Sequence, residues 1–315
     1  MITVLAGGVG AARYLAGLVQ VVPPDDITAV VNTADDVWLH GLRICPDLDT
    51  VTYTLAGAVD AERGWGLAGE TWRAVEALAR YTPVAPAGSV AGTTWFRLGD
   101  ADLATHLYRT ARLAEGAGLA RVTAEVTRAW GVGPRLLPMT EDPVETRLTV
   151  AEEGEIGFQE YFVHRRHDEA VSAVRFAGAD RSHPGPGVLD ALAEAERVVI
   201  APSNPIVSIG PVVAVPGVSE ALAARRADVV AVSPIVAGAA LRGPADRLLR
   251  GLGHEASVVG VARLYTAVAG TLVLDQADAA LAGDVEAAGV RPVVAPTVMS
   301  GPAEAAALAR TTLVA

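Results

Sequence analysis

Met1-Ile-Thr-Val-Leu-Ala-Gly-Gly-Val-Gly-Ala-Ala-Arg13 is the stretch on which the fold turns. Ile2 to Ala6 is apolar and partly β-branched, which reads as a short buried strand. Gly7, Gly8 and Gly10 turn the chain, and Ala11 to Val19 has helical spacing. Strand, glycine turn and helix start together make an anion site, because unpaired N–H groups face a ligand that glycine lets approach closely. Arg13, one turn into the helix, can add a bidentate phosphate contact. No Gly-Lys-Ser/Thr follows, so this is not a Walker A loop. Gly8-Val-Gly10-Ala-Ala-Arg13 also ends in Arg where the dinucleotide fingerprint needs a third glycine. A plain tight turn is the bland alternative.

The 315 residues are 51% hydrophobic, mostly through Ala, Val and Leu, enough for a large α/β core with or without a smaller unit. No apolar run is long enough to span a membrane, and the glycines interrupt any leader-like start, so a cytoplasmic protein is expected. The single Cys45 excludes an internal disulfide and a cysteine metal cluster. A formal charge of −11 argues against a nucleic-acid surface. All 25 basic residues are Arg, a mark of GC-rich coding rather than of mechanism.

Outward from the first helix, Ile27 to Val31 reads as a second strand ending in Asn32-Thr33-Ala34-Asp35-Asp36. Short polar residues at the carboxyl end of a buried strand lie where open α/β sheets bind ligands. One acid or Thr would serve as a helix cap; two acids with Asn and Thr exceed that need. Asp47-Leu-Asp49 is expected on a loop before a helix from Val51 to Val59, where paired carboxylates suit Mg²⁺. Asp100-Ala-Asp102 is a second acidic pair, and His106 follows Asp102 by four residues, one helical turn on the same face. Trp95 offers a planar ring beside it.

From Arg135 the texture becomes extended, with strands expected over Arg147 to Val150 and Gly157 to Val163. Residues 135–180 therefore read as a strand-rich insertion that closes over the ligand edge. Residues 1–134 and 181–315 form the core. Its second part brings a helix from Val188, a strand at Arg197 to Ala201, and then Pro202-Ser203-Asn204-Pro205-Ile-Val-Ser208. A further strand at Val229 to Val232 leads into Ser233-Pro234, and a late one is expected at Leu272 to Leu274. These strand–loop–helix units give an α/β, Rossmann-like, doubly wound and mostly parallel sheet with a smaller strand-rich inserted subdomain. No Gly-x-Ser-x-Gly elbow occurs, so metal-assisted phosphoryl transfer fits the loops better than covalent catalysis.

Taken in order, Gly7-Gly8-Val9-Gly10, Asn32-Thr-Ala-Asp-Asp36, Pro46-Asp-Leu-Asp-Thr50, Leu98-Gly-Asp-Ala-Asp-Leu-Ala-Thr-His106, Pro138-Met-Thr-Glu-Asp-Pro-Val144, Pro202-Ser-Asn-Pro-Ile206 and Ser233-Pro-Ile235 resemble the 2-phospho-L-lactate transferase family of coenzyme F-420 biosynthesis. The likeness covers nearly the whole chain. Related uridine-sugar-binding regulators share the glycine loop, whereas the Ser-Asn-Pro and Leu-Gly-Asp segments favour the transferase. The resemblance implies that the ribityl hydroxyl of the deazaflavin Fo attacks a guanosine diphosphate ester of lactate or enolpyruvate, with Mg²⁺ as cofactor and GMP as product. It implies that Gly7, Gly8, Gly10 and Arg13 hold the guanosine phosphates, with Asn32, Thr33 and Asp35 beside them. Asp47 or Asp49 binds the metal, and both are catalytic candidates with His106. Trp95, Arg97 and Asp100 lie near Fo, and Ser203, Asn204 and Ser208 contact donor or nucleotide. A homodimer is the family expectation.

Two positions depart from the family pattern. Arg13 replaces the Lys of archaeal members, and Val9 replaces the usual Thr. The Arg-only, Ala-rich composition points to an actinobacterial source and so to the enolpyruvyl donor. Two rival readings are a nucleotide-sugar-binding regulator without turnover and a nicotinamide dehydrogenase; Asn32 at the ribose position disfavours the second.

Overall fold

The computed structural model describes residues 1–315. Strand β1 (Ile2–Ala6) is buried along its whole length, as a central parallel strand must be. Helix α1 (Gly8–Leu18) starts three residues earlier than its apolar spacing suggested, inside the glycine turn. Strand β2 (Ile27–Val31) pairs parallel with β1. A short ribbon of β3 (Val37–Leu39) and β4 (Leu42–Ile44) leads to helix α2 (Pro46–Leu55). That helix too begins earlier than expected. Pro46 sits at its first turn, where the missing N–H costs nothing.

Helices α3 (Arg73–Leu78), α4 (Asp102–Ala114) and α5 (Leu119–Ala129) follow. Strand β5 (Arg135–Pro138) then pairs with β2 at the sheet edge. Residues 135–138 thus belong to the core sheet and not to the insertion. The insertion proper is a three-stranded antiparallel sheet of β6 (Glu145–Val150), β7 (Gly154–Gly157) and β8 (Val171–Ala177). Where a strand was expected from Gly157 to Val163, β7 ends at Gly157 and Glu160–His164 forms a wide helical turn. Two stacked aromatic rings there, Phe158 and Phe162, lie 5.3 Å apart, a spacing suited to one helical turn.

The core resumes with α6 (Val188–Glu194), β9 (Arg197–Ile200), α7 (Gly210–Ala214), α8 (Val218–Ala224) and β10 (Val229–Val232). A hairpin of β11 (Ile235–Val236) and β12 (Ala239–Ala240) turns through Ala237 and Gly238, both at positive φ. Then come α9 (Ala245–Gly251), α10 (Val258–Tyr265), β13 (Thr271–Leu274), α11 (Ala282–Ala287), β14 (Arg291–Val294) and α12 (Pro302–Val314).

The main sheet has seven strands in the order β14-β13-β10-β9-β1-β2-β5, all parallel. Alternate strand residues feed two apolar layers. Val4, Ala6, Val31 and Val199 face α1, α2 and α12, while Leu5, Val30, Val198 and Ile200 face α6 to α11. Each fully buried Leu or Ile contributes roughly 1.5–3 kcal/mol relative to exposure, so sheet position is over-determined. The chain leaves β1 toward β2 on one side and later returns with β9 on the other. The crevice at the carboxyl ends of β1 and β9 is therefore the switch point where such sheets bind ligands. No single helix is long and apolar enough to cross a membrane.

Candidate active site

Three segments meet at that crevice: the glycine turn after β1, the acidic loop after β2, and the Ser-Asn-Pro loop after β9. Gly8 needs its glycine for a φ of +69°, and Gly10 for proximity, since a Cβ there would lie 2.1 Å from the Pro202 carbonyl oxygen. Gly7 has no side chain with which to cap α1. Asp47 of α2 takes that part, accepting the Gly8 N–H through Oδ1 at 2.9 Å. No side chain accepts from the other N–H groups of the first turn. Ser203 ties the two loops together by donating to the Gly7 carbonyl at 2.8 Å.

Asn32 organises the acids. Its Nδ2 donates to Asp35 Oδ2 and to Asp47 Oδ2, each at 3.0 Å, and its Oδ1 accepts the Ala34 N–H at 2.9 Å. One neutral amide thus joins the buried Asp35 carboxylate to the half-buried one of Asp47. Burial and then Asp47's charge push the Asp35 carboxyl well above the ordinary range. Asp47 is also raised, chiefly by burial, against which the Asn32 bond acts. Asp36, beside them, is pushed up to about 6 by burial, although Arg43 pulls the other way at 3.0 Å. Asp35 Oδ1 is buried and makes no hydrogen bond, although the Thr146 hydroxyl, likewise unpartnered, is near enough to pull the carboxyl's pKa down. Thr33 lies buried within the same loop.

Asp49, expected to share a metal with Asp47, points elsewhere. Both belong to the first turn of α2 and not to a loop, and residues two apart on a helix face about 200° from each other. Arg109 of α4 spans both Asp49 oxygens, through Nη1 at 3.2 Å and through Nη2. His106 is 1% exposed. Its Nδ1 lies 3.7 Å from Asp49 and its Nε2 3.2 Å from Asp102, so the expected one-turn contact with Asp102 is present. Tyr53 donates to Asp102 at 2.6 Å. Burial would raise Asp102, but His106 and Tyr53 outweigh it and hold the carboxyl below its ordinary value. Asp49 and His106 are therefore joined with Arg109 and Asp102 in one network between α2 and α4, although His106 Nε2 makes no hydrogen bond within it.

The other expected residues divide as well. Asn204 holds the turn after β9 by accepting the Ile206 N–H at 2.9 Å, while its buried Nδ2 has no partner. Ser208 packs against the glycine turn, for a Cβ on Gly7 would meet its Cβ at 2.8 Å. Asp100 is engaged with the start of α3, accepting the Arg73 and Ala74 N–H groups at 3.0 Å and the Thr71 hydroxyl, so it anchors a loop. Arg97 lies 4.6 Å over the Trp72 ring. Trp95 stacks on His164 of the insertion at 5.2 Å. Sequence reasoning missed Gln159, which donates to the Asp35 carbonyl at 2.8 Å and brings the insertion onto the acidic loop. Nothing in the local pattern around Gln159 distinguishes it from a surface amide. Arg165 is paired with Glu153, Glu160 and Glu169 within the insertion.

Fold and site together define a Rossmann-like α/β protein with a glycine-rich helix start and a carboxylate pair at the switch point of its sheet. The chain belongs to the family described as 2-phospho-L-lactate transferase CofD, whose model matches residues 2–299, and is thus a transferase. It is similar to proteins named phosphoenolpyruvate transferase. That of Streptomyces griseus is 45% identical over 316 residues, covering 99% of this chain and 97% of its own. That of Mycolicibacterium smegmatis is 42% identical over 323 residues, covering 98% and 96%. A crystal structure of a UPF0052 family member from Bacillus halodurans shares the fold, with a TM-score of 0.60 and 16% identity over 99% of this chain and 98% of that one.

Proposed function

We propose that this crevice moves a phosphoenolpyruvyl group from a guanosine diphosphate-linked donor to the ribityl hydroxyl of the deazaflavin Fo, in the biosynthesis of coenzyme F-420. The hydroxyl oxygen forms a new ester bond to the phosphorus that carries the enolpyruvyl group. The bond from that phosphorus to the bridging oxygen breaks, and GMP leaves with it. The family supports the reaction class, and the phosphoenolpyruvate transferase relatives favour enolpyruvate over lactate.

The observation that carries this reading is Asp47 on the N–H of Gly8. A helix start suited to phosphate already has a carboxylate on its rim, and two anions cannot share it without a cation. The residues fit Mg²⁺. Asp35 and Asp47 supply hard oxygens, Asp35 Oδ1 is a buried acceptor that makes no hydrogen bond although the Thr146 hydroxyl is near, and a mixed set of carboxylate and phosphate oxygens suits that ion. Asp35 and Asp47 would hold it, whereas Asp49 is committed to Arg109. When bound, Mg²⁺ supplies neutralisation of the charge that builds on the phosphoryl oxygens. The chain itself contributes the rest: α1 and Arg13 orient the phosphates, Asn32 fixes the separation of the acids, and the insertion with Trp95 excludes water above them.

The test is turnover of Fo with the enolpyruvyl and the lactyl donors, in Mg²⁺ or EDTA, read by mass. The expected result is Mg²⁺-dependent GMP and a deazaflavin heavier by the enolpyruvyl phosphate. Tight nucleotide binding without product from either donor would instead make the protein a non-catalytic binder.

A further inference from the structure

Arg13 has no carboxylate acting on it; burial and the positive charge of Arg242 both pull its pKa down. Arg242 lies outside every motif singled out in the sequence, in the exposed segment between β12 and α9. Its Nη1 donates to the Arg63 carbonyl at 3.1 Å. The contact falls on the turn at Gly64, where an added Cβ would lie 2.7 Å from Arg242 Nη1 and 3.1 Å from Val9 Cγ1. One glycine therefore separates the Arg242 guanidinium from the first turn of α1. Arg63, on the same turn, lies 5.4 Å over both the Trp65 and the Trp72 rings and pairs with Asp60 at 3.1 Å. In a chain of net charge −11, two guanidinium groups with no carboxylate partner at one helix start favour an anion between them.

We propose that Arg242 is a second phosphate-binding arm, opposing Arg13 across the start of α1, so that the oxygens of a diphosphate ester are gripped from both sides. This rests on the reading of the crevice as a diphosphate site. The two arms come from parts of the chain more than two hundred residues apart. Arg242 is held by a backbone carbonyl and not by an acid, which leaves its charge uncompensated. Its fork is then free to make charge-assisted bonds to phosphoryl oxygens.

Calorimetric titration of the whole protein with GDP and with inorganic pyrophosphate, in Mg²⁺ buffer, tests this. The Arg242→Gln variant should bind both probes about tenfold more weakly, or worse, the size expected for one charge-assisted contact. Arg242→Lys should recover part of the loss because it keeps the charge without the fork. It also carries the test should the Gln variant fail to give the wild-type circular dichroism and melting temperature. Wild-type affinity for both probes in both variants would overturn the role of Arg242 and leave the diphosphate reading intact. A wild-type protein that binds neither probe would overturn the reading beneath it.

Discussion

Asp47 and Asp49 stand two residues apart at the start of one helix and end in opposite surroundings. Around Asp49, every charge has its counter-charge: Arg109 spans the carboxylate, and His106, Asp102 and Tyr53 continue the network. Around Asp47, one amide and one backbone N–H serve two carboxylates, and an oxygen of Asp35 has nothing. Asp49 is buried and Asp47 half-buried, and each side also holds a buried atom without a hydrogen-bond partner, His106 Nε2 on one and Asp35 Oδ1 on the other. The difference lies in the charge of the partners. A carboxylate spanned by a guanidinium is neutralised within the chain and stabilises the fold, whereas two carboxylates that share one neutral amide are left with a charge for a cation to meet.

Substitution should separate the two. The largest effect is expected from Asp49→Ala, which leaves the Arg109 guanidinium buried without its partner; breaking such a pair costs about 3–5 kcal/mol. Urea unfolding of the variant measures it, and a midpoint close to wild type would show that the network does not bear on stability. Asp47→Asn should behave in the reverse manner. Replacing a half-buried, raised-pKa acid with an amide relieves repulsion with Asp35 but turns an NH2 toward one of the two donors that Asp47 accepts. The melting temperature should therefore fall by far less than for Asp49→Ala, while turnover with Fo and donor falls by at least about a hundredfold. Retained turnover would remove Asp47 from the metal site.

The smallest effect is a dependence on pH. Asp35, Asp36 and Asp47 all have folded values above the ordinary 3.8. Their contribution to stability is therefore full at low pH and is lost as pH rises through those raised values, about 6 for Asp36. Mg²⁺ competes with the same protons. Its stabilising increment in a thermal melt should be slight at pH 5 and grow toward pH 8. An equal increment at both ends would mean that the ion sits elsewhere.

Much of this was legible in the residues. β1, β2 and β10 are continuous apolar runs closed by polar turns, and Asp102 with His106 is a spacing any helix enforces. What a spacing cannot reveal is which way a helix is turned. Asp49 looked like a ligand because its partner, Arg109, lies sixty positions away on another helix. Edge strand β14 was hidden by Pro292 and by its mixed exposure, both tolerable only at an edge. β5 read as part of the insertion because extended texture does not say which sheet a strand joins. Arg242 gave no signal at all, since its significance comes from Arg13 and Gly64 alone.

The position of β1 has a consequence for how the molecule is made. Ile2 pairs with Ile27 on one side and with Arg197 on the other, so β1 is completed by a strand that leaves the ribosome far later than it does. Until β9 arrives, the apolar edge of β1 stays open and the glycine turn lacks the Pro202 and Ser203 contacts that fix it. Such long-range parallel pairing is slow and exposes sticky edges on the way. A nascent chain halted before residue 197 would hold its glycine turn unformed, with one edge of β1 still open.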